Sequence, residues 1–161
     1  MILGANHVGL SVPDMDKALA FYCDLLGFKK VFEFAWEDGD ELSAPLSKII
    51  GVDGTSCNVT VVAGENINLE IFNFTGGNPQ AQDPRRPVID HSISHLCLAV
   101  KDLDQEYERL VAAGMEFHSE PVQIIPGIKT VYGRDPFGNV VELEEIEGRE
   151  VPNQPPAIPE E

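Results

Sequence analysis

The feature that most constrains this fold is a duplicated segment. Residues 6–28 read NHVGLSVPDMDKALAFYCDLLGF, and residues 94–117 read SHLCLAVKDLDQEYERLVAAGMEF. Aligned at an offset of 88 positions, the two share the pattern HxxLxVxDxD, followed by a helical stretch that ends at a glycine. Because a repeat of this length spans a whole supersecondary unit, the chain is predicted to contain two copies of one module.

Each copy begins as a strand and continues as a helix. Apolar residues alternate with polar or small ones, which predicts a strand with one buried face. An aspartate then stands at the predicted helix N-cap, and a glycine at the left-handed C-cap. The strand residues, the aspartate and the glycine are Val8, Leu10, Val12, Asp14 and Gly27 in the first copy, and Leu96, Leu98, Val100, Asp102 and Gly114 in the second.

Three further strands are predicted after each helix, from runs of alternating apolar residues separated by turn residues. The order is therefore βαβββ twice over, an α+β fold class. The predicted strands are 29–36, 56–63 and 67–74 in the first half, and 115–119, 128–134 and 139–146 in the second.

The predicted organisation is a single domain, 1–147, with a tail. Module one covers 1–75 and module two covers 91–147. The segment between them, 76–90, is predicted to be a linker because the stretch TGGNPQAQDPRRP, residues 75–87, is rich in Gly, Pro and polar residues. The tail, 148–161, is Pro-rich and acidic and is expected to be disordered.

Charge and composition exclude several function classes. A net charge of −16 disfavours binding to nucleic acid and to an anionic membrane surface. No run of about eighteen apolar residues and no signal peptide is visible. Cys23, Cys57 and Cys97 are odd in number and lack CxxC spacing, as expected for reduced thiols in a cytoplasmic protein. The remaining expectation is a small-molecule substrate.

Each module offers one histidine near the start of its first strand and one glutamate in the middle of its last. These are His7 with Glu70 and His95 with Glu142. A glutamate among apolar strand residues is costly to bury unless it is paired or coordinated. The repeat-equivalent placement of both pairs therefore indicates a shared chemical role.

The spacing of the pairs locates an insertion. His7 precedes Glu70 by 63 residues, whereas His95 precedes Glu142 by 47. The 16 extra residues fit a longer connection at 37–55 in the first half. Insertions beside a site often form a lid or a substrate wall.

The stretches HVGLSVPDMDKALAFYCDLLGF, LEIF, HLCLAVKDLD and GRDPFGNVVELEE, in that order, resemble the vicinal oxygen chelate superfamily. Its members include glyoxalase I, methylmalonyl-CoA epimerase, extradiol dioxygenases and bleomycin-resistance proteins. The resemblance covers residues 5–147. It implies a glyoxalase-like fold in which paired βαβββ modules form a curved mixed sheet around a metal ion, commonly in a homodimer.

The resemblance implies metal ligands at His7, Glu70, His95 and Glu142. Two imidazoles and two carboxylates suit Zn, Ni, Co, Mn or Fe(II). The implied activity is that of a lyase or isomerase of the glyoxalase or epimerase kind, with proton transfer through a metal-stabilised enediolate. Glu142 and Glu70 are the candidate bases, with a slight preference for Glu142.

Two alternatives remain open. An extradiol ring-cleaving dioxygenase using Fe(II) would explain why 132–142, YGRDPFGNVVE, looks like part of that group's signature. Against it stand the extra carboxylate of Glu70 and the absence of a histidine in the preceding QIIPGIKTV. The second alternative is a non-catalytic binding protein of the drug-resistance type, which the complete ligand set disfavours.

Other candidate residues have simpler interpretations. His91 is expected at the surface, and His118 is a weaker candidate for facing the site. Basic side chains at Arg85, Arg86, Lys129 and Arg134 are interpreted as surface or turn residues rather than an anion site. The aromatic residues Phe32, Phe34, Trp36 and Phe72 are expected in the core or lining the site.

Overall fold

The computed structural model describes residues 1–149. Nearly all of the predicted tail therefore lies outside the described residues. The chain divides into two compact units, the first comprising Met1–Ala81 and the second beginning at Gln82. Across 1–149, no helix has both the length and the apolar character that a membrane span needs.

The two units repeat one order of elements. The first contains β1 (His7–Ser11), α1 (Met15–Leu19) with a π-helical continuation (Ala20–Leu25), β2 (Lys29–Trp36), α2 (Ser43–Ile50), β3 (Cys57–Ala63) and β4 (Asn68–Phe74). The second contains β5 (Leu96–Ala99), α3 (Leu103–Ala112), β6 (Glu116–Phe117), β7 (Val122–Ile125), β8 (Ile128–Arg134) and β9 (Val140–Ile146).

Each unit forms its own mixed sheet. The strand order is β1-β4-β3-β2 in the first and β5-β9-β8-β6 in the second, where β7 also pairs with β8. In both, the first strand runs parallel to the last, and the other pairs are antiparallel. The predicted α+β class with two βαβββ modules is confirmed, with α2 and β7 as additional elements.

One face of the first sheet packs against the first helix. Leu69 and Ile71 on β4 are fully buried, as are Ala18 and Tyr22 of the helical segment. Helix α1 contacts β4. Because side chains alternate along a strand, Glu70 points to the opposite face from Leu69 and Ile71. That opposite face carries the candidate site.

The two predicted helix N-caps differ. The carboxylate of Asp14 accepts a hydrogen bond from the Lys17 amide at 2.9 Å, as an N-cap should. Asp102 adopts the left-handed region, φ 54° and ψ 55°, and its side chain makes no capping bond. The Glu145 carboxylate instead accepts from the Asp102 and Leu103 amides, at 2.8 Å and 3.3 Å. The N-cap prediction is therefore wrong for the Asp102 side chain, because its backbone turns it away and another residue supplies the oxygen.

The first helix widens before it ends. Over Ala20–Leu25 its geometry is π-helical, and the Leu26 amide donates to the carbonyl of Phe21, five residues back, at 3.0 Å. Gly27 follows with φ 82°, and Gly114 follows α3 with φ 92°. Both glycines thus take the left-handed conformation predicted for them.

Candidate metal centre

In the first unit, His7 and Glu70 meet on one face of the sheet. The parallel pairing of β1 with β4 places His7 beside Asn68, so that Glu70 lies two residues further along on the same face. The Nε2 atom of His7 is 3.0 Å from Oε2 of Glu70. This strand register brings together two residues that are 63 positions apart.

The second unit repeats the pair. Glu142 lies opposite Cys97 in the parallel β5–β9 register, and His95 directly precedes β5. The Nε2 atom of His95 is 3.0 Å from Oε2 of Glu142, the same separation as in the first unit. The two modules therefore form the same imidazole–carboxylate arrangement from repeat-equivalent positions.

Both imidazoles are oriented by the residue before them. His7 Nδ1 lies 2.8 Å from the side-chain oxygen of Asn6, and His95 Nδ1 lies 2.8 Å from the hydroxyl of Ser94. Histidines that bind metals commonly engage their second ring nitrogen in this way, which fixes the ring and its tautomer. In each unit Nε2 is left facing the carboxylate.

The electrostatics of this contact favour a cation. An amide oxygen only accepts hydrogen bonds, so Nδ1 of His7 donates to Asn6, and Nε2 faces the Glu70 carboxylate. Lone pairs at 3.0 Å repel unless a proton or a metal ion relieves them. His7 and Glu70 are both side chains that would hold a divalent ion.

A buried polar atom adjoins the first pair. Asn68 is 4% exposed and sits beside His7 in the strand register. Within residues 1–149 its Oδ1 has no hydrogen-bond partner. An unpaired buried oxygen is costly, and a bound water or ligand group next to His7 would satisfy it. The donor set and this oxygen together fit a divalent ion with further ligands.

The two carboxylates are not held equally. The Thr130 hydroxyl has one proton to donate and lies 2.6 Å from Oε1 of Glu142 and 2.9 Å from the Leu143 carbonyl, while Oε2 of Glu142 faces His95. The Glu142 side chain is 11% exposed and that of Glu70 is 21% exposed. In the first unit, Val59 occupies the position that corresponds to Thr130 and offers no hydroxyl.

Polar residues surround the second pair. Tyr132 lies opposite Glu142 in the β8–β9 register, and its ring centroid is 5.0 Å from that of His95. The His118 amide donates to the Tyr132 carbonyl, and the two rings are 6.4 Å apart. His118 thus adjoins Tyr132 on the candidate site face. Sequence reasoning passed over Thr130, although the alternation in IKTVYGR places it on the same face as Tyr132.

The titratable neighbours are held in their neutral forms. Burial, with a further contribution from Arg134, lowers the pKa of His118. Burial and then the Glu142 carboxylate raise the pKa of Tyr132. Although Cys97 is exposed, loss of hydration and the same carboxylate raise its pKa to about 12. At neutral pH these groups therefore offer hydrogen bonds rather than charge.

The other candidate residues from the sequence lie away from the histidine–glutamate pairs or donate hydrogen bonds to backbone carbonyls. The Arg134 guanidinium donates to the carbonyls of Gly138 and Arg86. Lys129 pairs with Asp104. The side chains of Arg85 and His91 are exposed. Neither unit alone, over 1–149, gathers three or more potential metal ligands, so the structure places the four candidates as two pairs.

A model of the Glyoxalase/Bleomycin resistance protein/Dioxygenase superfamily matches residues 4–143. The chain belongs to this superfamily. Two curated relatives are enzymes. A 2-epi-5-epi-valiolone epimerase from Actinomyces sp is 28% identical over 147 residues, covering 88% of this chain and 78% of the relative. The metallothiol transferase FosB of Shouchella clausii is 29% identical over 146 residues, covering 89% and 80%.

Solved structures of the superfamily share the fold. A glyoxalase family protein from Bacillus cereus aligns with a TM-score of 0.79 at 21% identity, covering 92% of this chain and 97% of that one. A glyoxylase/bleomycin resistance protein/dioxygenase domain from Frankia sp. EAN1pec aligns with a TM-score of 0.60 at 26% identity, covering 92% and 96%. The superfamily fold predicted from the four motifs is therefore confirmed.

Within this superfamily member, the DPFGN stretch has a structural role. Oδ1 of the buried Asp135 accepts from the Phe137 amide at 2.9 Å and the Asn139 amide at 2.8 Å. Its Oδ2 accepts from the Asn139 side chain at 2.7 Å. An Asx turn of this kind joins β8 to β9 and sets their register. The turn thus accounts for the DPFGN part of the stretch 132–142.

Proposed function

We propose that this chain is a divalent-metal-dependent enzyme of the epimerase or glyoxalase type, with an ion held by His7, Glu70, His95 and Glu142. The observation that carries the proposal is the pair of repeat-equivalent imidazole–carboxylate contacts, each 3.0 Å long. Random polar residues on two strands would not reproduce the same atoms at the same separation in both modules. We further propose that 1–147 acts as one domain, that the protein is a cytoplasmic homodimer and that its substrate is a small molecule.

A divalent ion at this position would polarise a substrate carbonyl and acidify the adjacent C–H bond. The histidines hold their Nε2 atoms at the site because Asn6 and Ser94 fix the rings. A carboxylate beside the substrate carbon then accepts the proton and returns it to the same or the neighbouring carbon.

Glu70 and Glu142 are the proposed acid–base residues, and their different surroundings give them different roles. The Thr130 hydroxyl lies within hydrogen-bond distance of one oxygen of Glu142, which restricts the movement of that carboxylate. Glu70 is more exposed and, within the described residues, makes its polar contact with His7 alone. The sequence slightly favoured Glu142 as the base. We propose instead that Glu70 accepts the proton first.

Both curated relatives are enzymes, which supports catalysis over simple binding. The name of the Actinomyces relative denotes an epimerisation, the reaction class proposed here. Ring cleavage has less support, because the Asx turn accounts for the DPFGN part of the stretch that resembled a dioxygenase signature.

The first experiment is metal analysis by mass spectrometry on protein purified without chelators and then loaded with Zn, Ni, Co, Mn or Fe(II). We expect close to one ion per chain, and a loss of about tenfold or more in affinity for Glu70→Gln and Glu142→Gln. Glu65→Gln, in an exposed turn of the first unit, is the matched control and should bind as the unaltered protein does. No stoichiometric ion under any loading condition overturns the proposal.

The second experiment follows proton transfer directly. Loaded protein is incubated in D₂O with α-hydroxyketone probes, and deuterium incorporation at the carbon next to the carbonyl is measured by NMR. We expect incorporation to fall by about 100-fold in Glu70→Gln and less in Glu142→Gln. Equal rates in both variants and in Glu65→Gln would contradict the assignment of these carboxylates as acid–base residues.

A further inference from the structure

The chain between the unit boundary and β5 is folded onto the second unit. From Gln82 onward the chain belongs to that unit, and it reaches β5 through residues 82–94, which we call the connector. The connector backbone forms a turn in which the Arg86 amide donates to the Asp83 carbonyl at 3.1 Å. The connector therefore follows a defined path up to the residue before His95.

One end of the connector is bound to the turn between β8 and β9. The Gln82 side-chain amide donates to Oδ1 of Asn139 at 2.8 Å and to the Phe137 carbonyl at 3.3 Å. Pro84 lies directly against Gly138, where an added Cβ atom would come within 2.3 Å of the Pro84 Cα and 2.5 Å of its carbonyl oxygen. Only a residue without a side chain permits so close an approach, so Gly138 is the point at which the connector contacts the turn.

Two arginines join this bound end to the residues before His95. The Arg134 guanidinium, on β8, donates to the Arg86 carbonyl at 2.9 Å and to the Gly138 carbonyl at 2.8 Å. The Arg86 guanidinium donates in turn to the Ile93 carbonyl at 3.4 Å. The planar guanidinium group presents its donors in fixed directions, which suits it to holding two backbone segments at a set distance. The two side chains thus link the turn, the middle of the connector and its last residues.

The end of the connector contacts the His95 ring itself. Its last residue, Ser94, places its hydroxyl 2.8 Å from Nδ1 of His95. The His95 side chain is 27% exposed, whereas that of His7 is 44% exposed. Residues 1–6, which precede His7, are all exposed. The chain that leads to the candidate ligand is therefore packed down in the second unit and open to solvent in the first.

We propose that the connector positions His95 for metal binding, with Arg86 and Arg134 as positioning residues. The arginines fix the backbone at the start of β5, and the Ser94 hydroxyl fixes the ring. Groups that orient a ligating histidine typically change metal affinity by about 10- to 100-fold when they are removed. The role of His95 as a ligand rests on the proposed function, whereas the placement of its ring by the connector does not.

The first test displaces the connector from the turn. Gly138→Ala forces a methyl group against Pro84, and Gly114→Ala is the matched control, since both glycines have φ 92° but a Cβ at Gly114 would meet nothing within 4 Å. Long-range nitrogen–proton NMR on the metal-free full chain locates the proton on each imidazole. We expect the His95 ring nitrogens to move toward the averaged shifts of a mobile ring in Gly138→Ala only, and the His7 ring nitrogens to keep their shifts in both variants.

The second test removes one link and leaves every glycine in place. Arg86→Ala deletes the donor to the Ile93 carbonyl, and Arg85→Ala, at the exposed neighbouring position, removes the same charge as its control. We expect the His95 ring nitrogens to shift in Arg86→Ala and not in Arg85→Ala. Because the contact uses a single donor, Arg86→Lys should restore most of the native shifts. Arg86→Ala decides the test by itself if Gly138→Ala fails to fold.

Zn titration of the same variants separates this inference from the proposed function. We expect Zn affinity to fall by about tenfold in Gly138→Ala and Arg86→Ala, with the site still filled at saturating Zn. Unaltered His95 signals in both variants overturn the role of the connector, as do equal shifts of His7 and His95, which would mean general loosening. Displaced His95 signals with unaltered Zn affinity overturn its role in metal binding. Displaced His95 signals in a protein that binds no metal under any loading condition overturn the proposed function and leave the placement of the ring standing.

Discussion

The two units share a topology and a histidine–glutamate pair, yet the residues around the pairs differ in chemistry. Positions that hold Val59, Val61 and Phe32 in the first unit correspond by strand register to Thr130, Tyr132 and His118 in the second. The first face is apolar and aromatic, whereas the second is polar. The duplication thus preserved the candidate ligands and let their surroundings diverge, so that one face suits apolar contact and the other suits hydrogen bonding.

The largest expected effect comes from removing the buried Trp36 ring, which packs under α2 in the first unit. Trp36→Ala leaves a cavity under α2 and should lower the free energy of unfolding by about 3–5 kcal/mol. Ile146→Ala, at the half-buried corresponding end of the second sheet, should cost less than about 2 kcal/mol. Urea unfolding followed by far-UV circular dichroism measures both. Equal losses would show that the two faces contribute alike to stability.

The second prediction concerns the Asx turn between β8 and β9 of the second unit. Asp135→Ala leaves two backbone amides without their carboxylate acceptor and should cost about 2–3 kcal/mol. Metal content per folded chain should stay the same, because the turn sets strand register and does not touch the ligands. A loss of metal in folded Asp135→Ala would instead give the turn a part in the site.

The third prediction tests the brace that distinguishes Glu142 from Glu70. Thr130→Val keeps the side-chain shape but removes the donor to Glu142, so Zn affinity should fall by about tenfold. Thr60→Val is the matched control, since this buried threonine bonds Glu33 on the opposite face of the first sheet. Competition titration with a chromogenic chelator measures the affinity. If both variants bind Zn equally, the brace has no role in holding the ion.

The smallest expected changes in the free energy of unfolding have opposite signs in the two units. Asp102→Gly should raise the free energy of unfolding by about 0.5–1 kcal/mol, because glycine adopts φ 54° without strain. Asp14→Gly removes a genuine N-cap oxygen and should lower it by a few tenths, about 0.3 kcal/mol. Thermal unfolding of the two variants, compared with the unaltered protein, gives the signs. Stabilisation in both cases would mean that the Asp14 bond contributes nothing.

Periodicity and duplication were enough to predict the βαβββ order, because each strand alternates cleanly and each helix ends at a glycine in left-handed geometry. The faces of Glu70 and Glu142 followed from the same alternation. Helix α2 was missed because the insertion has no counterpart in the second half and its N-cap, Leu42, gives no capping signal. The role of Thr130 depends on a cross-strand distance, which a single strand's pattern does not contain.

The π-helical segment after α1 accounts for a one-residue difference in length between the two halves. From Asp14 to Gly27 the chain advances 13 residues, but from Asp102 to Gly114 it advances 12. A π-helical turn closes over five residues instead of four, so it takes up one extra residue without displacing the next strand. The extra residue of the first half therefore lies within 20–25. A structure-based alignment of the two halves should place its single gap there rather than in the loop before β2.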